Sequence, residues 1–223
     1  KYRSVVLNNV NQLRCSSQEA TDEVWKFSRY KDWWNNPGLK ALRAMNELRV
    51  PLIVNHLTGK EQKTVHPLKG YRLLDVGSGG GLLCEPLARL GGEVTGIEPN
   101  SDSVNYCNNR LDGPSTDLKS NLKYVVSTIE EFASKENKAQ FDAVIASEVV
   151  EHIEDVESVI KSAHELLKPN GLFFITTINQ TITAYLVAIF AAENLLGIIP
   201  KGTHHYDLLV PSLSLKVMLE KSK

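Results

Sequence analysis

Five short apolar runs alternate with helical stretches between residues 71 and 178 of this 223-residue chain. Such alternation is typical of a parallel sheet, because a crossover helix must follow each strand before the next parallel strand can begin. It predicts an open, doubly wound, mainly parallel α/β sheet whose ligand crevice lies beyond the carboxyl ends of the strands. The predicted strands are residues 71–76, 93–97, 122–126, 141–147 and 172–178, and the predicted helices between them are 82–90, 101–111, 128–133 and 156–167.

A helical cap is expected before the sheet. Residues 21–30 and 39–50 carry apolar side chains at helical spacing, and the polar turn Asn35-Asn36-Pro37-Gly38 separates them. This places Arg49 near the C-terminal end of the second cap helix. The predicted organisation is a leader and one domain: leader 1–18 and domain 19–223, the latter divided into a cap (19–58), a cofactor-binding core (71–178) and membrane- or substrate-facing helices (179–223).

Charge and cysteine content exclude some classes of protein. With 25 basic and 26 acidic side chains the net charge is −1, so no nucleic-acid partner is expected. The three cysteines form no C-x-x-C pair, which argues against a disulfide framework or a zinc knuckle and suits a reducing compartment. Residues 1–17 carry only positive charges, as the tail of an organelle presequence does, although a solvated leader or a trimmed boundary has the same composition.

The turn after the first predicted strand is rich in glycine and reads Leu74-Asp75-Val76-Gly77-Ser78-Gly79-Gly80-Gly81-Leu82. Glycine lets the backbone approach a ligand, and the following helix directs its amides toward it. A dinucleotide-binding turn would have glycine at Leu82, and Asp75 would repel a pyrophosphate. A sulfonium cofactor without phosphate tolerates that acid, so S-adenosylmethionine is favoured over the nucleotide of a dehydrogenase.

Glu98 ends the second predicted strand, about twenty residues beyond the first glycine. An acid at this position can accept hydrogen bonds from both ribose hydroxyls. A solvated acid at a strand end is the alternative. The combination of Asp75, Gly77, Gly79 and Glu98 on one β-α-β pattern favours the cofactor interpretation.

A second group of polar residues follows the fourth predicted strand, in Ser147-Glu148-Val149-Val150-Glu151-His152. If Glu148 opens a helical turn, Glu151 and His152 share its face and the three can converge on a divalent ion such as Mg²⁺, Mn²⁺ or Zn²⁺. Such an ion would lower the pKa of a catechol hydroxyl. Alternatively, the two acids are solvated at a helix start and His152 packs or acts as a metal-free base.

An apolar segment at residues 184–199 is interrupted by Glu193 and Asn194 and is too short to span a membrane. It is either a core helix or an interfacial helix that lies in a membrane surface. From the residues alone, core packing is favoured.

Several motifs in order along the chain together resemble the ubiquinone-biosynthesis O-methyltransferases, particularly their mitochondrial branch. The resemblance covers residues 19 to about 211 and includes a Rossmann-like class I S-adenosylmethionine-dependent methyltransferase fold. The motifs are Trp33-Trp34, Met45-Asn46-Glu47-Leu48-Arg49, the glycine turn, Ser147 to His152, Thr176-Thr177-Ile178-Asn179 and Pro200-Lys201-Gly202-Thr203-His204.

This resemblance implies methyl transfer from S-adenosylmethionine to a ring hydroxyl of a polyprenylated catechol, by direct displacement. It implies cofactor contacts for Arg49, Gly77, Glu98 and Ser147, a metal site at Glu148, Glu151 and His152, and catalytic roles for His152 and Glu151. For residues 184–199, the resemblance favours an interfacial helix over core packing. That helix would dock on the matrix face of the mitochondrial inner membrane. Other ubiquinone-biosynthesis proteins are expected partners.

The chain also departs from the family pattern. Ser78 stands where cysteine is common, Glu98 replaces aspartate, and Asn170 replaces glycine. The family's sheet has seven strands, but only helices are predicted after residue 178. The last two strands are therefore expected to be missing, as in a truncated or trimmed form. A non-catalytic cofactor-binding scaffold in a membrane-bound assembly is therefore the alternative function.

Overall fold

The structure is a computed structural model that describes residues 32–59, 64–113, 117–134, 137–153 and 155–177. Glu151 is described in its backbone alone. Several predictions lie outside the described residues: the leader, the first cap helix, the apolar segment 184–199 and the missing strand pair.

Five parallel strands form one sheet in the order β3-β2-β1-β4-β5. The order reverses between β1 and β4, which confirms the predicted doubly wound topology and places a crevice at that point. The strands are β1 (Arg72–Val76), β2 (Glu93–Glu98), β3 (Leu122–Val126), β4 (Phe141–Ser147) and β5 (Leu167–Thr176).

Helices precede the sheet and connect its strands. Asn100 caps the helix after β2, since its side-chain oxygen accepts a hydrogen bond from the Ser103 N–H at 3.0 Å. Asp155 caps the helix before β5 in the same way, through the Ser158 N–H at 2.9 Å. The helices are α1 (Lys40–Thr58), α2 (Cys84–Arg89), α3 (Ser101–Asp112), α4 (Ile129–Ser134) and α5 (Val156–Leu166), with 3₁₀ turns at Pro37–Leu39 and Val150–His152.

Two predicted boundaries differ from the structure by more than two residues. Helix α1 continues through Pro51 to Thr58, so Arg49 lies in its middle and not near its end. Strand β5 begins at Leu167 instead of residue 172, and residues 168–171 form a bulge in which Asn170 has a φ of 65°. The second half of α1 is held by the core, in which Ile53 is buried, and the bulge lets β5 pair with β4 on both sides of residues 168–171.

Both faces of the sheet are covered by apolar side chains. Leu73 packs in the cluster that includes side chains of α1, α2 and α3, whereas Leu74 and Val76 pack with α4 and α5. Because side chains alternate along a strand, Asp75 lies on the same face as Leu73, beneath the glycine turn. Within the described ranges, no helix is long and apolar enough to cross a membrane.

Candidate active site

A cleft of about 420 Å³ lies at the carboxyl edge of the sheet. It is the crevice that the strand order predicts, and its size suits a small-molecule ligand. The predicted site residues with described side chains all line it: Arg49, Asp75, Gly77, Gly79, Glu98, Ser147, Glu148 and His152. The Glu151 side chain is outside the described set.

The glycine turn forms the floor of the cleft and is held by the cap. Gly77 has a φ of 65°, and a Cβ there would come within 2.7 Å of the Val149 side chain. A Cβ on Gly80 would overlap Trp33, a buried side chain that also lines the cleft. The Trp34 indole N–H donates to the Gly80 carbonyl at 3.1 Å. Trp33 and Trp34 therefore contact the glycine turn directly and hold it in place.

Glu98 fixes the shape of the same turn. Its Oε2 accepts a hydrogen bond from the Gly79 N–H at 3.1 Å, and its Oε1 accepts one from the Asn100 N–H at 2.9 Å. Burial raises the pKa of Glu98, while these two backbone donors oppose the rise. Each carboxylate oxygen can accept a further bond, so the predicted ribose role is compatible with this geometry.

Asp75 is buried beneath the turn. Burial raises the pKa of Asp75 to about 7, although a hydrogen bond from the Cys84 thiol and the charge of Arg49 both act to lower it. The Cys84 Sγ lies 3.0 Å from Asp75 Oδ2. The protonation of this carboxyl group near neutral pH is therefore sensitive to a cationic ligand in the cleft.

Arg49 joins the cap to the sheet across the cleft. Its Nη1 donates to the Ser147 hydroxyl at 2.5 Å and its Nη2 donates to the Leu42 carbonyl at 2.8 Å. The Ser147 hydroxyl is also 2.6 Å from that of Thr176 at the end of β5. Burial lowers the pKa of Arg49, and the charges of Glu148 and Asp75 oppose that shift. An arginine on a helix that precedes the sheet thus completes the site.

The expectation that Glu148 opens a helical turn is wrong. Glu148 has a left-handed φ of 56°, and the 3₁₀ turn begins at Val150. Glu148 and His152 nevertheless line the same cleft. Among the side chains that the structure describes, which do not include that of Glu151, no group of three His, Cys, Asp or Glu residues could hold a metal ion.

Several cleft residues escaped the sequence analysis. Ser127 and Thr128 follow β3, and the strand-end rule used for Glu98 and Ser147 could have found them. Asn46 lies one turn before Arg49 on α1, so helical spacing from Arg49 was the available signal. Asn46 and Trp33 were named only as parts of motifs, and nothing local indicates that Trp33 covers Gly80.

Comparison with known proteins identifies the family. A family described as methyltransferase domain matches residues 74–175. The mitochondrial ubiquinone biosynthesis O-methyltransferase of Homo sapiens is 42% identical over 99% of this chain and 63% of its own length. The ubiquinone biosynthesis O-methyltransferase of Sinorhizobium fredii is 38% identical over 90% of this chain and 80% of its own length. The chain belongs to the ubiquinone-biosynthesis O-methyltransferase family.

The solved structures agree with this family assignment at the level of fold. Magnesium protoporphyrin IX methyltransferase from Synechocystis superimposes with a TM-score of 0.61 at 17% identity, over 91% of this chain and 83% of that one. The predicted Rossmann-like class I methyltransferase fold is confirmed. The chain spans 52 to 63% of the length of four mitochondrial members of the family.

Proposed function

We propose that the chain is an S-adenosylmethionine-dependent O-methyltransferase that acts on a ring hydroxyl of a polyprenylated catechol in ubiquinone biosynthesis. The observation that carries this proposal is the hydrogen bond between Arg49 of the cap and Ser147 of β4. It crosses the cleft that the glycine turn and Glu98 also line. Family membership supports the reaction, and the two acids and the imidazole near the end of β4 support a catechol substrate.

The cleft residues fit the chemical groups of the cofactor. Glu98 suits the ribose hydroxyls, because its carboxylate oxygens can accept further hydrogen bonds. The Arg49 guanidinium suits a carboxylate, because its buried Nε has no hydrogen-bond partner among the described residues. Because the pKa of Asp75 lies near 7, a cation in the cleft would favour its ionised form, whereas a pyrophosphate would disfavour it. Bound S-adenosylmethionine would supply a methyl group activated by its sulfonium.

A divalent metal ion, such as Mg²⁺, is proposed at Glu148, Glu151 and His152. Two of these side chains line the cleft, and the mixed oxygen and nitrogen donor set suits such an ion. When bound, the ion would lower the pKa of a catechol hydroxyl.

The chain's own contribution is mainly alignment and exclusion of water. Trp33 and Arg49 of the cap line the cleft, and a cleft that holds the reactants aligned can contribute up to roughly 7 to 11 kcal/mol in favourable cases. In the metal-free alternative, His152, assisted by Glu151, would accept the proton of the ring hydroxyl.

A methyl-transfer assay on the full chain tests this function. A catechol with a short prenyl chain should be methylated in the presence of S-adenosylmethionine and Mg²⁺, and excess EDTA should abolish turnover while cofactor binding is retained. Glu151→Ala should behave like EDTA treatment, whereas Glu157→Ala, at an exposed acid of α5, should retain full activity.

Other results of this assay would support different conclusions. Full activity in EDTA would exclude the metal site. Cofactor binding without methylation of any dihydroxy aromatic would favour the non-catalytic scaffold instead. Failure to bind the cofactor at all would contradict both functions.

We also propose that the protein is mitochondrial and docks on the matrix face of the inner membrane through residues 184–199, beside other ubiquinone-biosynthesis proteins. The mitochondrial names of several relatives support the compartment. The full chain should float with vesicles of phosphatidylcholine and cardiolipin. Replacing Phe190 and Leu195 with aspartate should reduce that binding at least several-fold, and undiminished flotation would contradict this docking segment.

A further inference from the structure

Two buried polar atoms in the cleft lack a hydrogen-bond partner among the described residues, and both come from helix α1. One is Asn46 Oδ1 and the other is Arg49 Nε. Their side chains lie one helical turn apart and both line the cleft. A buried polar atom without a partner is unfavourable, so two neighbours of this kind indicate groups that arrive with a ligand.

The rest of each side chain is already fixed in place. Asn46 Nδ2 donates to the Leu82 carbonyl at 2.7 Å, which leaves the amide oxygen as the free acceptor. Arg49 is 9% exposed, and its two terminal nitrogens donate to Ser147 and Leu42. The pair therefore presents one neutral acceptor and one cationic donor without having to rearrange.

A neutral acceptor next to a cationic donor is complementary to a zwitterion. An α-amino acid carries an ammonium group and a carboxylate on one carbon, so the two can meet Asn46 and Arg49 together. We propose that Asn46 Oδ1 accepts a hydrogen bond from the α-ammonium at the methionine end of S-adenosylmethionine, while Arg49 binds the α-carboxylate. This inference rests on the proposed cofactor.

The acids of the cleft are less suited to this role. The remaining acceptor capacity of Glu98 is already assigned to the ribose hydroxyls, and Asp75 lies beneath the turn, where its Oδ2 accepts a hydrogen bond from the Cys84 thiol. Glu148 interacts with the charge of Arg49. A carboxylate at position 46 would pair with Arg49 and compete with the ligand, whereas an amide leaves the guanidinium available.

Calorimetric titration of the full chain with three ligands tests the role of Asn46. S-adenosylhomocysteine carries both the ammonium and the carboxylate, decarboxylated S-adenosylmethionine carries the amine alone, and 5′-methylthioadenosine carries neither. Asn46→Ala should weaken the first two by roughly 10- to 100-fold, as expected for a lost bond to a charged group, and should leave the third within about two-fold. Asn55→Ala, at an exposed asparagine of the same helix, should change none of them.

The alternatives give different patterns. If Asn46 only ties α1 to Leu82, all three ligands weaken equally, and the proposal is overturned. Unchanged binding of all three also overturns it. Binding of 5′-methylthioadenosine by the variant shows that its cleft is folded. If the wild-type chain binds none of the ligands, the proposed cofactor itself is wrong, and this inference falls with it.

Discussion

At the scale of single residues, burial decides how the cleft responds to charge. Asp75 is 3% exposed, and the groups around it act in opposite directions. Burial and the charge of Glu98 raise its pKa, whereas the Cys84 thiol and Arg49 lower it, with a net value of about 7. A carboxyl group balanced in this way changes protonation near neutral pH, which a solvated aspartate does not.

Asp75 should therefore make the stability of the ligand-free protein depend on pH. Its ordinary pKa is 3.8, so between about pH 4 and 7 the folded chain holds a proton at Asp75 that the unfolded chain has released. The stability that Asp75 contributes must fall as pH rises through this window. Relative to Asp75→Asn, the wild-type free energy of unfolding should fall by roughly 1 to 4 kcal/mol between pH 4 and 7.

Urea denaturation at several pH values measures this difference. Asp102→Asn, at an exposed aspartate in the first turn of α3, is the matched control and should run parallel to the wild type. A parallel profile for Asp75→Asn would show that Asp75 is ionised in the folded chain throughout the window.

At the scale of elements, helix α1 shows how packing overrides a local signal. Pro51 has no N–H to donate to the carbonyl of Glu47, four residues earlier. The second half of the helix is held by the body of the protein instead: Ile53 is 2% exposed, and the Tyr71 hydroxyl donates to the Leu57 carbonyl at 2.9 Å. The helix therefore continues eight positions past the predicted end.

Pro51→Ala should stabilise the protein. The side chain is exposed, so alanine restores the helical hydrogen bond without loss of buried surface. We expect an increase of about 1 to 2 kcal/mol in the free energy of unfolding, part of the proline penalty being offset by the greater freedom of the unfolded chain. Urea denaturation measures this change, and a decrease would indicate that proline at position 51 is needed to seat Ile53.

At the scale of the whole molecule, one chain of contacts joins the cap to the sheet. Arg49 of α1 bonds to Ser147 of β4, which bonds to Thr176 of β5. A ligand bound at Arg49 would contact α1 and the glycine turn together, so it would stabilise their association. Binding at this cleft should therefore stabilise the fold and not only a loop.

Ligand-dependent melting tests this coupling. S-adenosylhomocysteine at 100 times its dissociation constant should add about 2.7 kcal/mol of stability, which raises the melting temperature by roughly 5 to 10 °C. Arg49→Lys should lose most of that rise at the same ligand concentration, because an ammonium lacks the planar fork of a guanidinium. Arg89→Lys, at an exposed arginine of α2, should keep it, and an equal rise in all three proteins would contradict the role of Arg49.

Strand patterns were the most readable part of the sequence. The bounds of β3 and β4 match the prediction, and those of β1 and β2 differ by one residue, since apolar runs bounded by polar turns mark buried strands. The convergence of Gly77, Glu98 and Ser147 was also predictable, because parallel strands end at the same edge of the sheet. Glu148 was mispredicted because its left-handed backbone depends on how the chain leaves β4.

The sequence by itself determined the parallel α/β fold, the glycine turn and the strand-end residues, since each follows from periodicity or from a local conformational requirement. Only the tertiary structure decided that Trp33 covers Gly80, that Arg49 meets Ser147, and that Asn46 keeps an unpartnered oxygen in the cleft. These contacts depend on where helix α1 docks. Residues 98 positions apart, as Arg49 and Ser147 are, leave no local pattern that records their meeting.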